Sequence, residues 1–118
     1  MSDAVINNII RSQMVEDYLE FFSEKELEDI SLMISDDCSL TDWNVGKIEG
    51  KENVIGVFSD IFESVDNIEV KILHIHEDHA GIFTCEMILT IDDTDILVAD
   101  IIGFNESDQI KFIRAYRG

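Results

Sequence analysis

The chain has 118 residues, 26 of them acidic and 8 basic, for a formal net charge of −18, with 46% hydrophobic residues and no proline. One domain over residues 1–118 is the default at this length, and the apolar share is large enough for a real core, which excludes a disordered chain. Uniform acidity excludes a nucleic-acid binder, which needs a basic stripe, and a module that docks on an anionic membrane surface.

No apolar run approaches the roughly 20 residues that a membrane-spanning helix needs. The opening MSDAVINN lacks the basic start and apolar run of a signal peptide. Two cysteines, Cys38 and Cys85, do not make the disulfide framework of a small secreted domain. The expectation is a cytoplasmic protein with two free, buried thiols.

In chain order, Ile6, Ile9, Ile10, Met14, Tyr18, Phe21 and Phe22 recur at three- and four-residue spacing. That period predicts a first helix with Ser2-Asp3 at its start and Glu16, Asp17 and Glu20 on its polar face. A second helix is predicted from Glu26 to Ile34, and a short strand from Cys38 to Trp43. A loop containing Gly46 and Gly50 leads to a third helix from about Lys51 to Glu63. Alternation then predicts four strands: Ile68 to about His76, Ile82–Ile91, Ile96–Phe104 and Ile110–Tyr116. Their short, turn-rich joints require antiparallel hairpins. Helices followed by a meander read as α+β, with about three N-terminal helices packed on one face of a curved antiparallel sheet.

Most enzyme signatures are missing: there is no phosphate-cradling glycine loop, no CxxC and no nucleophile elbow. Three polar residues in apolar settings remain. Asp100 lies in Leu97-Val98-Ala99-Asp100-Ile101-Ile102, where a buried carboxylate must be paired, hydrogen-bonded or held protonated. A structural aspartate at a bulge or facing solvent fits the same pattern. Tyr18 shares the apolar stripe of the first helix, so its hydroxyl needs a partner, for which a backbone carbonyl would serve. Asp42 closes the short strand beside Trp43, where turn chemistry is its commonest use. His74 and His76 point to one strand face, with Glu77, Asp78 and His79 close by, but no set of four ligands at metal spacing follows. No metal and no cofactor is expected.

The element order and the spacing of Tyr18, Asp42 and Asp100 resemble SnoaL-like and nuclear-transport-factor-like domains, and most of all the ketosteroid isomerases. The resemblance runs over roughly Asn8 to Gly118. It rests on Val15-Glu16-Asp17-Tyr18-Leu19, on Asp36-Asp37-Cys38-Ser39-Leu40-Thr41-Asp42, and on Val98-Ala99-Asp100-Ile101-Ile102-Gly103-Phe104-Asn105. It implies a cystatin-like cone fold, a homodimer, and a hydrophobic small molecule as ligand. It assigns Tyr18 to the oxyanion hole, Asp42 to the base and Asp100 to the protonated acid of an isomerase. Trp43 stands where those enzymes usually carry proline, and Phe58 where many have tyrosine. The cone wall is then expected from Trp43, Phe58, Phe62, Phe83, Cys85, Met87, Val98, Ile102, Phe104 and Ile113, each of which would also suit a plain core. A SnoaL-like cyclase or hydratase, or a non-catalytic dimeric binding module, is the alternative reading of the same frame.

Overall fold

A first helix, α1 (Asp3–Ser23), buries Val15, Tyr18 and Leu19, whereas Ile6, Ile9 and Ile10 are 41%, 57% and 45% exposed. The computed structural model describes residues 3–118, and Ser2 of the expected cap lies outside them. The expected stripe therefore meets the core only from its middle onward. At 21 residues α1 is roughly 31 Å long, and Ile6, Ile9 and Ile10 in its first half lie outside the buried core. Helix α2 (Leu27–Met33) follows through Lys25, whose φ of 58° is the left-handed bend that turns the chain.

Strand β1 (Ile34–Asp42) starts four residues before the position its sequence predicts, and pairs with β2 (Gly46–Glu49) in a hairpin where a loop was expected. Helix α3 (Lys51–Ser64) then buries Val54, Phe58 and Phe62 at helical spacing. The remaining strands are β3 (Ile68–Glu77), β4 (Phe83–Ile91), β5 (Thr94–Phe104) and β6 (Ile110–Arg117). They form one sheet with order β2-β1-β6-β5-β4-β3, curved and not closed, with the three helices on its concave side. Every junction is antiparallel except β1 with β6, which is parallel. The long excursion through α3 and the meander makes that pairing possible, because parallel neighbours need a crossover.

Alternation sets the faces. Phe83, Cys85, Met87 and Leu89 of β4 point inward and are buried, opposite Ile102, Asp100, Val98 and Ile96 of β5 in register. On β3 the register slips: Ile72 pairs with Met87 but His74 pairs with Glu86, so Leu73 is an extra residue. Beyond this bulge Ile75, opposite Cys85, takes the inward place. His74 and His76 therefore do not continue the Ile68-Val70-Ile72 face, as alternation alone predicts. They stand on the outer face, their rings 5.6 Å apart, with His76 Nε2 3.5 Å from a Glu86 carboxyl oxygen.

The two ends of the cone are held differently. At one end Arg11 Nε donates to Asp108 Oδ1 at 2.8 Å, its Nη2 donates to the Asn105 carbonyl at 3.1 Å, and its guanidinium covers the Phe104 ring. Phe104 in turn meets Phe83 edge-on, with centroids 5.8 Å apart. At the other end Asp92 bridges elements: its Oδ1 accepts from the Asp66 and Asn67 amides, each at 2.9 Å. Between the helices, Tyr18, Phe22, Phe58 and Phe62 form a cluster with centroid separations of 5.5–6.3 Å. Offset and edge-on aromatic contacts of this kind add to area burial. Among the described residues no helix is long and apolar enough to cross a membrane.

Candidate functional site

A cavity of about 200 Å³ lies between the helices and the concave face of the sheet. From α1 it takes Tyr18, Leu19 and Phe22; from β1 and the following turn, Leu40, Asp42, Trp43 and Asn44. Helix α3 and the residue after it supply Phe58, Ile61, Ser64 and Val65. The meander supplies Met87, Leu89, Ile91, Val98, Asp100, Ile113 and Ala115. Trp43, Asn44 and Ser64 are exposed, so the mouth lies between the β1–β2 turn and the end of α3. Ligand sites for drug-sized molecules run to roughly 300–1,000 Å³, so this one suits a smaller body of one or two rings.

The expected site residues divide. Tyr18, Asp42, Asp100, Trp43, Phe58, Met87, Val98 and Ile113 share this one wall. Phe62, Phe83, Cys85, Ile102 and Phe104 are not on it. Phe83, Cys85 and Ile102 are no more than 1% exposed, packed in the core beyond the cavity floor, and Phe104 belongs to the Arg11 end. Leu19, Phe22, Leu40, Ile61, Leu89, Ile91 and Ala115 line the wall without having been singled out in the sequence. Leu89 and Ala115 were within reach of alternation, two residues from Met87 and from Ile113.

Asp100 occupies the inward row of β5, flanked in register by Cys85 and Ala115, and is 7% exposed. Burial first, and then the negative charge of Asp42, push its carboxyl from an ordinary 3.8 up to about 7. Neither cause is a hydrogen bond, and among the described residues no lysine or arginine lies on the cavity wall. Tyr18 is 3% exposed. Burial holds its phenol well above the usual 10.0, and Asp100 and then Cys38 add to the effect. At neutral pH it is a hydrogen-bond donor that does not ionise. The expected alternative for Tyr18, a bond to a backbone carbonyl, is not among the hydrogen bonds of the described residues.

Asp42 is placed by turn chemistry and stays available. Its Oδ1 accepts from the Asn44 and Val45 amides, both at 2.8 Å, which fixes the carboxylate at the cavity mouth. The arrangement thus combines two donors deep in the cavity, Tyr18 and a half-protonated Asp100, with an anchored acceptor nearer the entrance. Cys38 and Cys85 are free and buried, their thiols pushed up to about 11 and about 12, mainly by burial, so neither is a nucleophile. Among the described residues no group of histidine, cysteine and acidic side chains is arranged to hold a metal.

No family model matches the sequence, and no curated protein matches it. Solved structures do. A SnoaL-like protein of Burkholderia thailandensis superposes with a TM-score of 0.81 at 10% identity, over 100% of this chain and 98% of its own. The epoxide hydrolase/cyclase-like enzyme SalBIII, of pyran ring formation in the polyether salinomycin, gives 0.80 at 14% identity over 92% and 90%. Nuclear transport factor 2 of Cryptosporidium parvum gives 0.79 at 14% identity over 91% and 90%. The fold is therefore the α+β cone of NTF2-like and SnoaL-like proteins. Because the same cone serves an enzyme and a transport factor, function has to be argued from the cavity.

Proposed function

We propose that the protein binds a small, uncharged carbonyl compound and moves a proton on the carbon beside the carbonyl, after the manner of a ketosteroid isomerase. Tyr18 and protonated Asp100 donate hydrogen bonds to the carbonyl oxygen. Asp42 takes the proton through Oδ2, and the oxygen's developing charge is held by the two donors. Asp42 then returns the proton to a second carbon, so no atoms are gained or lost. The observation that carries this reading is the meeting of Tyr18, Asp42 and Asp100 on one apolar wall. An acid poised near neutral pH, beside a second carboxylate anchored by two backbone amides, is the division such a reaction needs. The cavity volume favours a one- or two-ring ketone over a steroid.

The test is isomerisation of cyclohex-3-enone, followed by absorbance of the conjugated product. Asp42→Asn should abolish turnover, and Tyr18→Phe should lower it roughly 100- to 1,000-fold. Equal rates for wild type and Asp42→Asn overturn the assignment of the base. A second reading draws on the same poised acid: Asp100 near 7 suits proton donation to an epoxide or ether oxygen in a hydration or cyclisation. Small epoxides in place of the ketone separate the two reactions. The homodimer that the resemblance implies finds support in the outer sheet face, where Leu97 and Tyr116 are 54% and 52% exposed. Sedimentation reads it directly.

A further inference from the structure

The cavity has two acids and nothing to neutralise them. Among the described residues Asp42 and Asp100 are its only charged lining residues, with no lysine, arginine or histidine on the wall. The ion pairs among the described residues, Arg11–Asp108, Lys47–Glu49 and His76–Glu86, all lie elsewhere. Asp100 is more than nine-tenths buried and lines the cavity, and among the described residues no hydrogen bond reaches its carboxyl. A buried carboxyl without a partner is costly unless it is kept neutral or a cation is brought to it. The same cavity wall carries the rings of Tyr18, Phe22, Trp43 and Phe58, and aromatic faces attract organic cations.

We propose that this cavity also takes a small protonated amine, its ammonium between Asp42 and Asp100 and its apolar body against Phe22, Trp43 and Phe58. The three donors of an ammonium match Asp100, Asp42 and the Tyr18 oxygen. The inference uses the cavity of the preceding section but not its reaction. Binding exchanges one cation for another: the amine enters charged, and the proton on Asp100 leaves to solvent. A neutral ketone does the opposite, since it needs that proton to stay.

Several elements present groups to Asp100. Tyr18 faces it from α1, Asp42 from β1 and Cys85 from β4, and burial keeps the phenol and thiol protonated. Helix α3 presents Phe58, Ile61 and Ser64, and β6 presents Ile113 and Ala115, none of which titrates. Amine affinity should therefore fall about tenfold from pH 8 to pH 6 as Asp100 regains its proton.

Calorimetry and thermal shift with cyclohexylamine, cyclohexanone and cyclohexanecarboxylate test this at both pH values. The amine should raise Tm and give binding heat at pH 8, weaken about tenfold at pH 6, and release a proton there, seen as a buffer-dependent heat. The carboxylate should do neither. In Asp100→Asn the amine should bind more weakly and lose its pH dependence. Absence of amine binding, equal binding of the carboxylate, or an amine affinity unchanged or rising at pH 6 overturns the proposal. The wild-type proton release stands as evidence even if the variant misfolds. A failed ketone assay with intact amine binding sinks only the isomerase reading.

Discussion

Asp100 couples the cavity to the stability of the whole chain. Its carboxyl loses its proton at about 7 in the fold and near 3.8 when unfolded. Between those values the folded state holds a proton that the unfolded chain has released, so stability falls as pH rises through that window and levels off above it. The difference corresponds to roughly 4 kcal/mol between its ends, as an upper bound. Asp100→Asn keeps the shape and removes the charge. Thermal melts at pH 4 and pH 8 should show the variant gaining on wild type as pH rises, with most of the gain between pH 5 and 7. Parallel curves for the two proteins would mean that Asp100 ionises freely in the fold. At the same scale, sequence reasoning reached Asp100 because a lone acid amid Leu97, Val98, Ile101 and Ile102 is physically conspicuous. It reached Tyr18 because the hydroxyl sits on a helix's apolar stripe. The Asx turn of Asp42 was foreseeable, but its return to the cavity mouth depends on the β1–β2 hairpin, which carries no periodic signal.

At the scale of elements, the sheet owes its shape to interruptions that alternation does not announce. Strand β2 has four residues, Gly46-Lys47-Ile48-Glu49, too few and too polar to read as a strand, and β1 organises it by pairing. The Leu73 bulge moved both histidines to the outer face, because one extra residue exchanges the faces of everything beyond it. Alternation also gives facing without depth: Phe83, Cys85 and Ile102 share the inward face with Met87 and Val98, yet only the latter two reach the cavity. A further irregularity falls between Gly103 and Phe104 of β5, where the ring of Phe112 lies over Gly103. A Cβ built at Gly103 would sit 2.0 Å from Phe112 Cε2. That ring is also held by the Arg114 guanidinium, 4.2 Å from its centroid. Gly103→Ala must therefore shift the ring or the strand, and should cost roughly 1–3 kcal/mol in denaturant unfolding. In the double variant with Phe112→Ala, the added cost of the alanine should nearly vanish. A full cost that persists without the ring would locate the strain in the backbone instead.

Over the whole molecule, the charge of −18 is a force on the fold as well as a guide to partners. Among the described residues no helix carries a basic residue in its last turn, so the negative ends of these three dipoles meet neutral or acidic side chains. Glu63, exposed in the last turn of α3, adds to that disfavoured arrangement, whereas Glu52 in the first turn of the same helix is favourably placed. Glu63→Lys and Glu52→Lys move the net charge by the same two units. If the global charge alone governed stability, both would help equally. With the helix dipole acting as well, Glu63→Lys should stabilise by roughly 0.5–1 kcal/mol at low salt, and Glu52→Lys should gain less or lose. Both differences should shrink in about 0.5 M NaCl, where screening extends only a few ångströms. Denaturant melts of the two variants at low and high salt measure this. Equal stabilisation by both would reduce the effect to net charge, and an effect that survives salt would assign it to packing.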